Sequence, residues 1–580
     1  MRKMLVVVLA VISSFQNLYS QKGDNSADTT EFVNGSGLVF DHLSENQIEN
    51  LSLLGKIWGF LKYYHPSIAE GRLNWDYELF RILPAYIKAV KQDERDHMLT
   101  NWINGLGSVE VCKKCNEVVK NEILKPDLDW ISGNQLTDSL KAILNFVKLN
   151  RHQGKSFYIE TIPRVGNPNI LNEKPYQQFI YPDVGYRLLG LFRYWNIIQY
   201  WFPDRHLIGE DWKKVLTEFI PKFINVKNEM EYWNISQQLI ARIHDSHANL
   251  LSSSPEWNNR FGKYFPPVMV SFVENNPVVS VVVKDTLALL SNIHRGDVVK
   301  KVSGKNVSDI IMERLPNLPA SNYKAQLRDL CFQLLVSKDS ITDITIERDG
   351  KQIDCKLHHF ALSKWSDWYR YDFPYQKDSS FFFISPGTGY INLGTIKKNQ
   401  IDSVFKALKN SNGLIIDNRQ YPGEFVLYQI AEKLNPQPTP FVIFPVCNLN
   451  YPGSFSVGKP FSAGRKNTDY YKGKVVILVN ENTQSSGEFN SMAFRTAPNA
   501  VVMGSTTAGA DGNVTNFFYL PGGIFTRFSG IGILYPDGKE TQRVGIVPDI
   551  EVKRTIKGIK EGRDELVEKA VEFINSGTTF

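Results

Sequence analysis

The feature that most constrains the fold is a series of apolar runs in the last third of the chain, each ending in glycine and polar residues. Four such runs follow one another from about residue 380: FFFISPGTGYINLG, GLIIDNRQYPGE, KVVILVNENTQSSGEF and AVVMGSTTAGADGN. Continuous apolar runs are typical of strands buried on both faces of a parallel sheet. A helical pattern such as Gln400–Lys409 lies between them. The sequence therefore predicts an α/β domain over residues 365–580.

The third of these runs raises a question about chemistry. Two serines, Ser485 and Ser486, stand between a predicted strand and the helix that begins near Glu488. Serine is a common helix N-cap, so the two hydroxyls could simply cap the helix. Alternatively, one of them is a nucleophile on a strand-to-helix turn, where it would face the positive end of the helix. The turn alone leaves both interpretations open.

The first residues have the pattern of a secretory signal peptide. Arg2 and Lys3 precede an apolar run that begins at Met4 and ends near Ile12, and a polar exit leads to Ser20. We therefore predict a signal peptide over residues 1–20, with an exported protein that is periplasmic or extracellular. No later stretch approaches the roughly 20 apolar residues of a spanning helix. We expect no integral membrane span after signal removal, and a flexible lead-in over residues 21–44.

Composition excludes several classes of function. The net charge of the 580 residues is only +6 and no basic block is present, so we expect no nucleic-acid partner. Cys112 and Cys115 form the only CxxC pair, and no second pair or nearby histidines complete a metal site. We predict no metal and no cofactor. The pair is predicted to be a structural disulfide or two idle thiols rather than a redox centre.

A helical domain is predicted over residues 45–260, and it contains an internal duplication. Ile57–Pro66 (IWGFLKYYHP) parallels Tyr194–Pro203 (YWNIIQYWFP), and a tryptophan follows each copy, Trp75 in the first and Trp212 in the second. Both the prolines and these tryptophans are separated by 137 positions. Two markers at one offset indicate a duplicated helical unit.

Residues 263–360 change to short β-rich runs. HRGDVVKKVSGKNV and ITIERDG, both within this range, resemble the corresponding segments of a PDZ domain. Domains of that kind commonly bind an extended peptide end by strand addition. However, PPVMVSFVE stands near the position of their glycine-rich loop. Peptide binding and a purely structural role for this domain both stay open.

Five segments, in family order, resemble the C-terminal processing (tail-specific) serine peptidases and the related tricorn core peptidase. They are Leu239–Leu251 (LIARIHDSHANLL), Gly389–Gly394 (GYINLG), Gly413–Glu424 (GLIIDNRQYPGE), NENTQSSGEF and Arg543–Val552 (RVGIVPDIEV). The resemblance covers roughly residues 180–560. It implies a multidomain α+β protein: a duplicated helical region, a PDZ-like domain, and a C-terminal crotonase/ClpP-like α/β catalytic core.

The resemblance also assigns roles at the nucleophile turn. It places the nucleophile on Ser485 and one oxyanion-hole donor on the N–H of Ser486. The second donor would be the N–H of Gly423, where a side chain would obstruct an approaching carbonyl. Asp417 and Arg419 are expected to hold the loop rather than to touch substrate.

The general base departs from the tail-specific branch, because Ala510 stands where that branch carries lysine. The tricorn branch uses a Ser-His pair instead, which Ser246-His247 matches. Histidine suits this role because its unperturbed pKa lies near 6.5. We expect Ser246 to hydrogen-bond His247 and relay its orientation to a glutamate, whereas His244 is predicted to be structural.

The catalytic acid is the position that the sequence specifies least. Glu540 is the candidate, because it precedes the last motif on a predicted strand face shared with Gln542. Gln542 itself could occupy the family position, and Asp511 and Glu488 are further alternatives.

These assignments predict an exported serine endopeptidase that cleaves peptides or protein tails through an acyl-enzyme on Ser485, with His247 as base. Because His247 precedes the PDZ-like domain and Ser485 follows it, the active site should lie between domains. The alternative is a non-catalytic ligand- or peptide-binding protein on the same fold. An envelope scaffold that uses the helical repeat is a further rival.

Overall fold

The structure is a computed structural model that describes residues 30–40, 42–361 and 380–576. The predicted signal peptide, residues 1–20, and part of the predicted lead-in, residues 21–29, lie outside the described residues. Within the described ranges no helix combines the length and apolar character that a membrane span requires.

The first part of the chain is mostly helical and has one large core. The first helix begins with a capping box: the Ser44 side chain accepts a hydrogen bond from the Gln47 N–H, and the Gln47 side chain accepts one from the Ser44 N–H. The helices are α1 (Glu45–Tyr64), α2 (Pro66–Ala69), α3 (Trp75–Tyr86), α4 (Gln92–Gly105), α5 (Asp138–Leu149), α6 (Val184–Trp201), α7 (Trp212–Ile224), α8 (Glu229–Ala241) and α9 (Pro255–Asn258). Short strands join them: β1 (Glu122–Leu124), β2 (Ile159–Thr161), β3 (Pro168–Ile170), β4 (Leu251–Ser252) and β5 (Tyr264–Phe265).

The two predicted helical copies have the same tryptophan geometry. Trp58 and Trp75 stack with ring centroids 6.2 Å apart, and each indole N–H donates to the backbone carbonyl of the other at 3.0 Å. Trp195 and Trp212 repeat this arrangement at 6.3 Å, with hydrogen bonds of 2.7 and 3.1 Å. This correspondence supports the proposal that α1–α3 and α6–α7 derive from one duplicated unit.

A cluster of four buried charges crosses the helical core. Glu173 lies 2.5 Å from the ammonium of Lys62 and 2.7 Å from the guanidinium of Arg193. Arg193 also contacts Asp76 at 2.7 Å, and Tyr176 donates to the same carboxylate at 2.8 Å. Each charged side chain is at most 10% exposed. Burial lowers the pKa of Lys62, and the neighbouring Glu173 partly restores it.

The middle part is a small domain built on an antiparallel sheet. Its strands are β6 (Val268–Val273), β7 (Asn276–Val282), β8 (Val298–Val302), β9 (Lys305–Asn306), β10 (Ile341–Arg348) and β11 (Lys351–His358), followed by β12 (Phe360–Ala361). The sheet order is β11-β10-β8-β7-β6, with β9 paired to β8. The helices are α10 (Asp285–Leu290), α11 (Val307–Arg314) and α12 (Tyr323–Leu334). Its likeness to a PDZ domain stays a prediction.

The last part is the predicted α/β domain. Its strands are β13 (Phe381–Ser385), β14 (Thr388–Asn392), β15 (Gly413–Asp417), β16 (Thr439–Val442), β17 (Pro445–Cys447), β18 (Phe455–Val457), β19 (Phe461–Ala463), β20 (Lys474–Val479), β21 (Ala500–Gly504), β22 (Phe518–Leu520), β23 (Ile524–Thr526) and β24 (Ile550–Glu551). Its helices are α13 (Ile401–Ala407), α14 (Leu427–Leu434), α15 (Ser486–Phe494), α16 (Ile556–Glu561) and α17 (Glu565–Asn575).

The central sheet has the order β13-β14-β15-β20-β21-β24, and all neighbours after the β13–β14 hairpin are parallel. Alternate residues of its strands enter separate hydrophobic cores on its two faces. Burial of both faces explains why the strands read as continuous apolar runs. The predicted multidomain α+β fold is confirmed.

Strand pairs connect the three parts. β4 pairs with β23, which links the end of the helical part to the α/β part. β1 pairs with β18 and makes a second link between the same two parts. β5 pairs with β12, so the chain enters and leaves the middle domain through one two-stranded ribbon.

Candidate active site

Ser485 lies on a strained turn between β20 and α15. Its φ of +54° and ψ of −120° fall outside the regions that a serine normally occupies. Its N–H donates to the carbonyl of Ala510 at 2.9 Å and lies 3.1 Å from a carboxylate oxygen of Glu488. Strain of this kind persists only where the surroundings enforce it, and it is common at functional sites.

Glu488 holds this turn against the loop that follows β21. Its fully buried carboxylate accepts hydrogen bonds from the N–H groups of Gly509, at 2.7 Å, and Ala510, at 3.0 Å, and from the hydroxyl of Thr507. Burial raises its pKa, which these hydrogen bonds partly oppose. With its oxygens engaged by backbone groups, Glu488 orders the turn.

The two predicted oxyanion donors differ in availability. Among the residues that the structure describes, the Ser486 N–H makes no hydrogen bond. The Gly423 N–H, in contrast, donates to the carbonyl of Leu393 at 3.0 Å. A Cβ at position 423 would lie 2.4 Å from the carbonyl oxygen of Gly394. Close approach to that carbonyl explains why position 423 is a glycine. The N–H of Gly423 was predicted to be a free oxyanion donor, but in this structure it is already engaged by Leu393.

Asp417 and Arg419, predicted to hold the loop, lie in a buried ion network at the end of β15. Arg419 forms paired hydrogen bonds with Asp564, at 2.9 and 2.8 Å, and with Asp417, at 2.9 and 2.6 Å. Tyr390 also donates to Asp417. Although burial alone would raise it, the Arg419 guanidinium holds the pKa of Asp417 below its usual value. The network ties the strand end to the start of α17.

His247 lies at the end of a hydrogen-bonded chain that reaches a carboxylate. Its Nδ1 is 2.9 Å from the hydroxyl oxygen of Ser529, and that hydroxyl donates to Asp245 at 2.9 Å. Because the Ser529 hydroxyl gives its proton to Asp245, it accepts from an Nδ1–H group of the imidazole. Nε2 of the neutral ring is then left with a lone pair, as a general base requires.

Asp245 fixes the same loop through the backbone as well. Its carboxylate accepts from the N–H of His247 at 3.0 Å and from the N–H of Ser529 at 2.6 Å. The side chain is fully buried, and that of His247 is only 8% exposed. Sequence reasoning missed both Asp245 and Ser529. Asp245 could have been found from the sequence, since it stands two residues before His247 in the motif LIARIHDSHANLL. Nothing in the sequence indicates the role of Ser529.

Ser246 contacts the middle domain rather than the histidine beside it. Its hydroxyl accepts from the N–H of Ser321, and its own N–H donates to the hydroxyl of Ser321, both at 2.9 Å. The predicted hydrogen bond from Ser246 to His247 is therefore replaced by a reciprocal pair. The Nδ1 atom of His247 has the hydroxyl of Ser529 as its partner instead.

The N-terminal end of α12 also contacts the nucleophile turn. Asn322 donates to the carbonyl of Thr507 at 2.9 Å. Arg328 donates to the carbonyl of Glu481 at 2.8 Å and to the side-chain oxygen of Gln484 at 3.1 Å. The middle domain thus contacts both the segment before His247 and the turn that carries Ser485.

The predicted acid, Glu540, lies elsewhere. One of its oxygens is 2.8 Å from Nε2 of His206, and the other is buried without a partner among the described residues. Gln542 is buried, with its side-chain nitrogen unpartnered there. Both oxygens of Asp511 are likewise buried and unpartnered in that part of the chain, and burial raises its pKa well above the usual value. The carboxylate that the hydrogen bonds connect to His247 is Asp245, not one of these groups.

His244, predicted to be structural, is half-buried with a φ of +50°. Burial lowers its pKa, and Arg543 adds to the effect.

The segment with the base and the turn with the serine face one cavity. Its volume is about 530 Å³, and its walls include Ser246 and Gln484. These residues directly precede His247 and Ser485 in the chain. The walls of this cavity come from the helical part, the middle part and the α/β part.

The environment of His247 predicts the pH dependence of any reaction in which it is the base. Burial lowers its pKa, Asp245 raises it, and the guanidinium groups of Arg527 and Arg328 lower it further. Because the base acts when deprotonated, we expect the acidic limb of kcat/KM to have its midpoint below about pH 6.5. The measurement is the pH profile of peptide turnover between pH 4 and 9.

Two variants should move that limb in opposite directions. Asp245→Asn removes the group that favours the imidazolium, so its limb should shift to lower pH; Arg527→Gln removes a cation, so its limb should shift to higher pH. Arg465→Gln, at an exposed position, is the control and should leave the midpoint unchanged. Unshifted midpoints in both test variants would mean that another group titrates.

A family model matches most of the α/β part. Residues 387–552 match the family model described as Peptidase family S41. The match contains the turn of Ser485 and the loop of Gly423, whereas His247 lies outside it. No curated protein is significantly similar to the chain.

Several solved structures are similar to the chain at low sequence identity, and the first of them, with a TM-score above 0.5, shares its fold. Mature CPAF complexed with lactacystin is 14% identical, with a TM-score of 0.52, over 67% of this chain and 98% of that chain. A photosystem II D1 C-terminal processing protease is 17% identical, with a TM-score of 0.40, over 67% of this chain and 98% of that one. The tricorn protease is 15% identical over 67% of this chain and 36% of its own, with a TM-score of 0.34.

Proposed function

We propose that this chain, whose residues 387–552 match peptidase family S41, is an exported serine endopeptidase whose nucleophile is Ser485 and whose general base is His247. Its substrates are peptides or protein tails. Besides water, the proposed reaction uses an alcohol, an imidazole, a carboxylate and the backbone N–H of Ser486.

The proposed reaction follows from the roles of these groups. The Ser485 hydroxyl attacks a peptide carbonyl while Nε2 of His247 removes its proton. The resulting imidazolium is stabilised by Asp245 through the hydroxyl of Ser529. Ser486 donates its N–H to the oxyanion. His247 then gives the proton to the leaving amine, an acyl-enzyme remains on Ser485, and water releases it by the same steps in reverse order.

The observation that carries the proposal is the hydrogen-bonded chain from His247 through Ser529 to Asp245. A histidine that only packs in a core has no need of a carboxylate that selects its tautomer. The strained backbone of Ser485 is a second, independent support, because such a conformation costs of order 1–3 kcal/mol and is retained at functional sites. The alternative of a non-catalytic binding protein accounts for neither feature.

Export rests on separate observations. The predicted signal peptide is one, and the disulfide between Cys112 and Cys115 is the other. Disulfides persist in oxidising compartments and are rare in the cytosol. We propose a periplasmic or extracellular location on these two grounds.

The experiment that tests the proposal is covalent labelling with a fluorophosphonate probe, followed by mass spectrometry of the labelled peptide. Wild type should acquire one adduct, on the peptide that contains Ser485, and Ser485→Ala should acquire none. Ser486→Ala is the matched control, since it removes the neighbouring hydroxyl and keeps the backbone N–H, so it should still label. Wild type that stays unlabelled, or an adduct on Ser486, would refute the proposal and favour a binding protein.

A further inference from the structure

The cavity of about 530 Å³ beside the candidate site has charge that the proposed reaction does not use. It lies between α8, α12 and the nucleophile turn. Three arginines line it, Arg260, Arg314 and Arg328, against a single carboxylate, Asp329. Arg328 and Asp329 form an ion pair at 2.8 Å. The wall therefore carries two positive charges in excess.

Arg260 and Arg314 are the source of that excess. Among the described residues no carboxylate forms an ion pair with either guanidinium. Arg260 donates to the carbonyl of Trp257 at 2.8 Å, and Arg314 donates to that of Gln333 at 3.0 Å. A guanidinium has five N–H donors, so both retain donors for a ligand.

Aromatic rings hold the two cations in place. The guanidinium of Arg260 lies 3.9 Å from the ring centroid of Trp257 and 4.7 Å from that of Phe261. The guanidinium of Arg314 lies 4.9 Å from the same Phe261 ring. Both arginines are half-buried, and burial lowers the pKa of Arg260 to about 10, so it stays charged at neutral pH. Stacked, partly desolvated guanidiniums lose little freedom when they bind an anion.

We propose that this cavity is a substrate subsite in which Arg260 and Arg314 bind a carboxylate of the peptide. This inference rests on the proposed function, and it specifies the substrate class: peptides with a carboxylate near the scissile bond. Ser246 and Gln484 stand in the same wall and immediately precede the base and the nucleophile in the chain, so the cavity adjoins both catalytic segments. The carboxylate is that of the chain terminus or that of an acidic side chain.

Binding to the uncleaving variant Ser485→Ala tests the subsite without relying on turnover. The probes are fluorescein-labelled alanine heptapeptides with a central glutamate or glutamine, each made with a free C-terminal carboxylate and with a C-terminal amide. Fluorescence anisotropy gives the four dissociation constants. We expect at least about tenfold tighter binding for peptides that carry the recognised carboxylate, with a smaller ratio at high salt. The Glu/Gln pair and the acid/amide pair identify its source.

Substitutions in the same background connect the preference to the two arginines. The double variant Arg260→Gln, Arg314→Gln should bind all four peptides equally, whereas Arg260→Lys with Arg314→Lys should keep most of the preference. Arg465→Gln, at an exposed site, is the matched control and should match its parent. Circular dichroism of each variant reports folding. Equal binding of charged and neutral peptides by the parent, or a preference that survives in the glutamine double variant, would overturn the subsite.

The outcome is distinguishable from failure of the proposed function. With Ser485 restored, the glutamine double variant should still react with the fluorophosphonate probe, which needs no carboxylate. Wild type that does not label would refute the catalytic proposal, while the anisotropy ratios would still decide whether the cavity binds carboxylates.

Discussion

Replacing Ser485 by alanine is expected to lower kcat/KM toward a quenched peptide by about 10,000-fold or more, and His247→Ala should have nearly the same effect. The alcohol and its base act as a unit, because neither can form the acyl-enzyme without the other. The double variant should therefore be no slower than the slower single variant. Ser486→Ala keeps the backbone donor and should stay within a few-fold of wild type.

The measurement is initial-rate turnover of one peptide by wild type and the four variants, with folding checked by circular dichroism. Losses that multiply in the double variant would show that the two residues act independently, which contradicts the proposed pair. Full activity in His247→Ala would transfer the role of base to another group.

Removing the shared carboxylate of the helical core should have the largest effect on stability. Glu173→Gln leaves the ammonium of Lys62 buried without its partner, and breaking a buried ion pair in this way costs about 3–5 kcal/mol. Most of the tryptophans lie in this part of the chain, so urea unfolding followed by tryptophan fluorescence reports on it directly. We expect a clearly lower unfolding midpoint.

The double variant Lys62→Met, Glu173→Gln removes the unpaired charge and should recover part of the loss, since a methionine fits an apolar site of similar length. Glu572→Gln disrupts an exposed pair with Lys569 and should change stability by less than about 1 kcal/mol. Equal midpoints for Glu173→Gln and wild type would mean that the cluster contributes nothing to the helical fold.

The fold followed from patterns that are local in the sequence. Buried parallel strands need apolar residues on both faces, so each strand can be recognised from its own apolar run. The helical pattern at Gln400–Lys409 likewise matches α13. The duplication was visible as the offset of 137 positions that Pro66 and Trp75 share with Pro203 and Trp212. The serine turn could be found in the same way, because strand, turn and helix are contiguous.

The site was less predictable where it depends on contacts between distant segments. Ser529 is 284 positions from Asp245. Nothing in the sequence around Ser529 indicates that its hydroxyl accepts a hydrogen bond from the imidazole of His247. Glu540 was selected for its place before a motif, but the chain turns so that it pairs with His206. The N–H of Gly423 was assigned as an oxyanion donor by resemblance. Only the backbone path shows that it donates a hydrogen bond to the carbonyl of Leu393.

The two-stranded ribbon of β5 and β12 gives the middle domain the topology of a cassette. Because the chain enters and leaves at one point, a gene could gain, lose or exchange the intervening 90 or so codons without rerouting the peptidase framework. The exception is the stretch from Ser321 to Arg328, which contacts both catalytic segments. In homologous genes that stretch should tolerate less length variation than the strands β6–β11, whose contacts with the α/β part include the packing of Val273, Val278 and Val298 against Ile559 of α16.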